Sequence, residues 1–251
     1  MSDQMPSDTV SVTANITANL KVHIAALRSE FQKNEPVYAL NWFNTHWGWL
    51  YNFYNLLAAP SVLKVGGVPF FKARVEQVLH GESAACRAVL LIVCYPNIEH
   101  FKTMLQSRYF QLVSILRGIA VKEFTFGFST RTDADTKDNQ NLKSIQRIDQ
   151  RGVYAIHHYQ IDDANNQLTE KVAKVATSFD VELAFASTVS ARLYTQQGQK
   201  PTSVVDTIMD GCLILQANTN SDIEALIKSE DYQVIIASTQ NSFIATLKRV
   251  F

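Results

Sequence analysis

The spacing of apolar residues along the chain predicts an alternation of helices and strands. Near the N-terminus, apolar residues recur at steps of three and four from Ile16 to Phe31, which is the pattern of one face of an amphipathic helix. Further along, alternating polarity and short uninterrupted apolar runs are typical of β-strands. We therefore expect an α+β protein with an N-terminal extension, residues 1–35, that carries an amphipathic helix.

The pattern between residues 36 and 128 predicts the order strand, helix, strand, strand, helix, strand. Val37–Phe43 is rich in residues that favour strands, and the aromatic helix that follows is expected to end at Pro60. Ala88–Tyr95 is apolar on both faces, like a central strand, and Glu123–Phe128 alternates like a last strand. This is the order of a ferredoxin-like βαββαβ unit.

The same pattern restarts after a polar segment. Residues 129–150 contain no aromatic side chain and few apolar ones, which predicts an exposed linker. Within residues 151–251, Ser229–Gln233 resembles Ser107–Gln111, and each segment follows a buried strand and a helix and precedes a last strand. An internal repeat of about 115–120 residues predicts a second, degenerate ferredoxin-like unit.

Each predicted unit would place both helices on one face of a four-stranded sheet. The other face is apolar and has to be buried. Two such sheets in one chain can close into a barrel, whose interior is either packed solid or holds a pocket. The sequence therefore predicts an α+β barrel formed within a single chain from two tandem units.

Two segments of the first unit carry a family resemblance. Tyr54–Glu82 and Ser107–Arg117 are similar to the domain-of-unknown-function 1330 family in a Gly-Gly turn and a Ser-x-x-Tyr-Gln motif with an arginine seven residues after the aromatic. The resemblance covers most of residues 37–128 and is weak over 153–251, where Thr239 stands in place of the arginine. It implies the dimeric α+β-barrel superfamily, which includes cofactor-free monooxygenases, small isomerases and haem proteins of the chlorite-dismutase kind.

Composition limits the range of functions. Basic and acidic residues number 23 each, so the chain lacks the positive excess of a protein that binds nucleic acid. No apolar run reaches the roughly 18–20 residues that span a membrane, and the N-terminus does not resemble a secretory signal. The three cysteines are widely spaced, and no ligand motif for a metal or cofactor is present. We expect a cytoplasmic protein without a cofactor or metal.

The adjacent histidines His157 and His158 are the first candidates for chemistry. Neighbouring residues of a strand point to opposite faces, so one imidazole would face the barrel interior as a base or an axial ligand. The alternative interpretation is a half-buried, hydrogen-bonded histidine. Arg117 could clamp a carboxylate or a phosphate, or form a structural ion pair or helix-terminal contact.

Aromatic residues supply candidates for ligand binding. Trp42, Tyr51 and Tyr54 belong to a dense aromatic cluster, and Phe110 and Tyr232 occupy matching positions in the two predicted units. Such a cluster lines a pocket for a planar or apolar ligand, or it forms core. The sequence leaves both interpretations open.

The first hypothesis for function is a small-molecule-binding barrel with its ligand in or beside the interface of the two units. The sequence leaves open whether the chain is an enzyme; a reaction would be a cofactor-independent oxygenation, isomerisation or cyclisation, by analogy of fold. A second hypothesis is a non-catalytic interaction module, in which the helix at residues 16–31 docks a partner or a second copy. The third is a haem-binding protein of chlorite-dismutase-like architecture.

Overall fold

In this computed structural model, the residues that the structure describes are 35–81, 86–132, 152–161, 167–195 and 210–250. We call residues 35–132 the first half and residues 152–250 the second half. The predicted N-terminal helix at 16–31 lies outside the described residues, as does the predicted linker from residue 133 onwards. None of the helices in the described part of the chain has the length and apolar character that crossing a membrane requires.

Eight strands and six helices make up the described residues. The strands are β1 (Val37–Thr45), β2 (Val68–His80), β3 (Val89–Tyr95), β4 (Val121–Arg131), β5 (Val153–Gln160), β6 (Glu182–Thr195), β7 (Gly211–Ala217) and β8 (Asn241–Arg249). The helices are α1 (Gly48–Lys64), α2 (Ile98–Gln106), α3 (Arg108–Ala120), α4 (Gln167–Thr177), α5 (Asn220–Lys228) and α6 (Glu230–Ala237).

The eight strands form one closed antiparallel barrel. Their order around the ring is β1-β3-β2-β8-β5-β7-β6-β4, and β4 pairs with β1 to close it. Two seams join the halves: β2 pairs with β8, and β4 pairs with β6. The α+β class and the barrel closed within one chain, both predicted from the sequence, are therefore confirmed.

Alternation along the strands divides the apolar residues into three cores. One face of each strand points into the barrel, which is filled by large side chains that include Tyr38, Phe70, Tyr154, Phe185 and Phe243. The other face packs against helices, with α1–α3 covering the first half and α4–α6 the second. Both faces of the sheet are thus buried, as the apolar runs in its central strands require.

The expected end of α1 at Pro60 is wrong. The helix continues to Lys64 with Pro60 inside it. Proline cannot donate a backbone hydrogen bond to the carbonyl four residues earlier, and here that residue, Leu56, is exposed, so water can satisfy the carbonyl. A proline on the solvent side of a helix is therefore tolerated near its last turn.

The repeated Ser and Gln residues make the same contacts in both halves. Ser107 caps α3 by accepting from the Phe110 amide at 3.5 Å, and Ser229 caps α6 by accepting from the Tyr232 amide at 3.3 Å. The glutamine of each motif donates its side-chain N–H to a carbonyl of the preceding helix, at 3.1 Å from Gln111 in the first half and 2.6 Å in the second. The motif thus fixes the break between two consecutive helices in each half.

Candidate functional site

A cavity of about 260 Å³ lies in the first half, between the outer face of the sheet and helices α1–α3. We call it the first-half cavity. Its volume is slightly below the range of about 300–1,000 Å³ that is typical of sites for drug-sized ligands, so it suits a small organic molecule. The helices contribute Tyr51, Tyr54, Ala58, Met104, Phe110 and Arg117 to its lining, and the strands contribute Ala39, Asn41, Lys72, Val93, Tyr95 and Phe126.

Arg117 projects from the last turn of α3 into this lining. Its guanidinium lies 5.1 Å from the centre of the Phe124 ring, and its positive charge acts on the Tyr54 hydroxyl. A guanidinium packed against an aromatic face has fewer rotamers to lose on binding a ligand. The site therefore presents a positive charge in a fixed orientation.

Lys72 brings a second positive charge to the opposite wall. It lies on β2 between two residues of the barrel interior, so alternation turns its side chain towards the helices. Only 5% of Lys72 is exposed, and its Nζ lies 5.5 Å from the centre of the Tyr51 ring. Burial lowers the pKa of this ammonium group, and the neighbouring charge of Arg74 lowers it further.

Three buried tyrosines, Tyr51, Tyr54 and Tyr95, also line the first-half cavity. Burial raises the pKa of each hydroxyl above its ordinary value, and the positive charge of Arg117 opposes that shift. The three hydroxyls are therefore protonated near neutral pH. They are hydrogen-bond donors in a mainly apolar enclosure.

His157 does not lie at this cavity. It points from β5 towards the helices of the second half, where Nδ1 lies 2.9 Å from the Tyr232 hydroxyl and Nε2 lies 2.9 Å from Ser242 Oγ. Ser242 Oγ is in turn 2.8 Å from Thr239 Oγ1. Burial, with the positive charges of His158 and His80 acting in the same direction, lowers the pKa of His157 to about 3. The imidazole is neutral and both of its nitrogens are engaged.

His158 faces the barrel interior. Its ring stacks on Trp42 at a centroid distance of 4.6 Å, and Nδ1 lies 3.4 Å from the Gly211 carbonyl oxygen. Nε2 is buried without a hydrogen-bond partner among the described residues. Burial lowers the pKa of His158 to about 4, against the opposing effect of the Gly211 carbonyl. The side chain is thus a neutral member of a packed aromatic core.

The structure brings together half of the residues that the sequence suggested. Tyr51, Tyr54, Phe110 and Arg117 line one cavity. The other candidates, Trp42, His157, His158 and Tyr232, lie in the barrel interior or among the second-half helices. Any role for these four in chemistry or ligand binding stays a prediction.

The sequence reasoning missed the sheet side of the cavity, chiefly Asn41 and Lys72. The sequence does contain a signal that Lys72 is a site residue. A lysine between Phe71 and Ala73 in an apolar strand is unusual, because lysine is rarely buried unless its charge has a partner or a function. Asn41 donates from Nδ2 to the carbonyls of Ala39 and Leu91 at 3.1 and 3.2 Å. Nothing in the local sequence indicates that contact.

The residues present do not fit haem in the first-half cavity. Both candidate axial ligands, His157 and His158, lie elsewhere, and the lining contains no histidine or cysteine from the described part of the chain. Within the same residues, no group of three or more His, Cys, Asp or Glu is placed to hold a metal ion.

Comparisons with known proteins concern the fold. No protein-family profile and no curated protein match the chain. A monooxygenase-like protein from Lactobacillus acidophilus NCFM is 11% identical, with 86% of this chain and 94% of that chain covered and a TM-score of 0.45. An anthrone oxidase-like protein is 10% identical, with 86% and 92% covered and a TM-score of 0.47. A haem-binding protein from Thermus thermophilus is 8% identical, with 86% and 93% covered and a TM-score of 0.42.

These solved structures are of the ferredoxin-like α+β-barrel type, and at such identities and TM-scores they assign no function to this chain. The resemblance to the domain-of-unknown-function 1330 family is not confirmed, because no family profile matches. The function therefore has to be argued from the site itself.

Proposed function

We propose that this chain binds a small organic molecule in the first-half cavity. The observation that carries the proposal is a partly open, mainly apolar space into which Arg117, Lys72 and three tyrosines bring polar groups. Pockets of this composition are the usual sites of small-molecule ligands. If the ligand is also turned over, Arg117 and the Tyr54 hydroxyl are placed to stabilise a developing oxyanion.

We further infer that the two halves are tandem ferredoxin-like units of which only the first keeps the site. Both halves run strand, helix, strand, strand, two helices, strand. The strand registers make His157 equivalent to Asn41 and Ser242 equivalent to Phe124. The repeated helical motif makes Tyr232 equivalent to Phe110 and Thr239 equivalent to Arg117.

The side chains of these four pairs make different contacts in the two halves. In the first half the four side chains line the cavity. In the second half, Tyr232, His157, Ser242 and Thr239 instead form a chain of contacts between 2.8 and 2.9 Å that occupies the equivalent place. The degenerate second unit is, on this proposal, a structural partner for the first.

Filling the cavity tests the proposal with a matched pair of variants. Ala39 lines the cavity on β1, and Ala155 is its equivalent in the packed second-half core. The probe ligand is 2-naphthoate, a small aromatic carboxylate. We expect Ala39→Leu to abolish its binding, measured by calorimetry, without lowering the free energy of unfolding. Ala155→Leu should leave binding intact and lower that free energy by about 1–3 kcal/mol through overpacking.

Unchanged naphthoate binding in Ala39→Leu would contradict the proposed site. Native mass spectrometry of the purified chain adds a measurement that does not depend on the probe. A retained small molecule that is lost in Ala39→Leu but kept in Ala155→Leu is the expected result.

A second candidate function, an interaction module, is favoured by the outer surface of α1 and α3. Trp49 and Leu56 on α1 are 69% and 70% exposed, and Leu112 on α3 is 67% exposed. Exposed apolar residues that cluster on neighbouring helices are typical of interaction sites. The other large apolar residues exposed on or beside these two helices are Trp47, Phe53, Leu63, Tyr109, Ile115 and Ile119.

Light scattering tests this surface as a contact with a second copy of the chain. We expect the full chain to self-associate at micromolar concentration and Leu112→Glu to shift it to monomer, because a buried unpaired carboxylate is costly. Val234, which is 68% exposed on α6, provides the control: Val234→Glu should leave the oligomer unchanged. A full chain that is monomeric at 100-fold higher concentration would remove a second copy as the partner.

A further inference from the structure

Among the described residues that line the first-half cavity, the charged side chains are of one sign. Arg117 on α3 and Lys72 on β2 contribute positive side chains from opposite walls. No aspartate or glutamate from the described residues belongs to the lining. Positive groups in a mainly apolar enclosure are stabilised by a negative group brought among them, because low polarity strengthens the attraction.

The hydrogen-bond donors point to the same conclusion. Arg117 offers a planar fork that matches the geometry of a carboxylate, and its packing against the Phe124 ring orients the fork. The protonated hydroxyls of Tyr51 and Tyr54 are on the same side of the cavity, with their rings 5.8 Å apart. Arg117, Tyr51 and Tyr54 therefore bring several hydrogen-bond donors to the helix side of the cavity.

The rest of the lining is suited to an apolar, flat body. Phe101 and Phe126 stack at 5.7 Å, and Phe124 and Phe126 stack at 5.9 Å, so aromatic faces form part of the sheet-side wall. Val93 and Ala39 add further apolar surface to that wall. A volume of about 260 Å³ limits the ligand to a small molecule.

We propose that the ligand of the first-half cavity is a small aromatic or similarly flat organic carboxylate, with its acid group at Arg117 and Lys72 and its apolar body against the phenylalanines. This inference rests on the proposed binding site and adds the chemical class of the ligand. The Tyr54 hydroxyl, which lines the same cavity as Arg117, donates to the bound carboxylate.

A pair of probes of nearly equal shape separates charge from fit. Calorimetric titration of the full chain with 2-naphthoate and with 2-naphthamide is expected to show at least tenfold tighter binding of the carboxylate. Replacing Arg117 or Lys72 with methionine keeps much of the side-chain volume and removes the charge. Each replacement should weaken naphthoate binding by about 10- to 100-fold, the range for hydrogen bonds to charged groups, and change naphthamide binding less than threefold.

Arg108→Met is the matched control, because Arg108 lies on the same helix but is exposed and outside the lining. It should bind both probes like the unmodified chain. Equal affinity for the two probes, or an equal loss of both in Arg117→Met, would overturn the carboxylate inference while leaving the binding site in place. Failure of both probes to bind at millimolar concentration, with no molecule retained in native mass spectrometry, would overturn the binding site and the inference together.

Discussion

Replacing Trp42 with alanine is expected to lower the free energy of unfolding by about 3–5 kcal/mol, the usual cost of truncating a large buried aromatic. Trp42 is 8% exposed, and its ring contacts His158 at 4.6 Å and Phe243 at 5.2 Å between centroids. Its Nε1 also donates to the Arg87 carbonyl at 2.8 Å. The variant removes that bond and leaves a void in the barrel interior. Chemical denaturation at neutral pH measures the loss.

The control is Val234→Ala, because Val234 is 68% exposed, lies outside the apolar surface of α1 and α3, and its truncation should change the free energy of unfolding by no more than about 0.5 kcal/mol. The comparison also tests the sequence-based prediction that Trp42 binds a ligand. If Trp42→Ala kept full stability and lost naphthoate binding, Trp42 would belong to a binding site rather than to the core.

Acid is expected to destabilise the protein steeply below about pH 6.5. Burial lowers the pKa of His157 to about 3 and that of His158 to about 4 in the folded chain. In the unfolded chain both imidazoles titrate near pH 6.5. Between pH 6.5 and about 4 the unfolded chain therefore binds protons that the folded chain does not, and stability falls as pH falls. Each histidine contributes up to about 1.4 kcal/mol per pH unit.

Urea denaturation at pH 7, 6 and 5 measures this slope. His158→Phe removes one of the two groups and should reduce the slope by about half, whatever its effect on stability at pH 7. Leu213→Val is the control: Leu213 pairs with His157 in the sheet and lies in the core beneath the second-half helices, so the change lowers stability without removing a titrating group and should shift all three values equally. A free energy of unfolding that stays constant from pH 7 to pH 5 would show that neither histidine is buried in its neutral form.

Much of the fold was accessible from the sequence because strands and helices have different apolar periods. The alternation in Glu123–Phe128 and the apolar run through β3 predicted strands, and both are strands in the structure. The end of α1 was misplaced, because the effect of Pro60 depends on whether its side of the helix faces solvent. That exposure depends on how the helix packs in the fold and is not determined by the local sequence.

The site was harder to predict than the fold. Arg117 and Tyr54 were recognised as candidates, but the cavity exists because distant positions carry side chains that leave space, such as Ala39 and Asn41. At the equivalent second-half positions, the side chains of His157 and Tyr232 contact each other and fill the space. Whether a position is filled or open depends on pairs of residues far apart in sequence. The sequence alone therefore did not reveal that the two histidines are packed against other side chains, and they were predicted as candidates for chemistry.

The closed ring of strands also determines how this protein can change over evolutionary time. In a barrel assembled from two identical chains, every substitution appears twice, once on each side. Here a single chain supplies all eight strands, so a substitution at Arg117 or at Thr239 alters one side only. Selection can therefore act on the side that contains the cavity and on the opposite side independently, with neither constrained to copy the other.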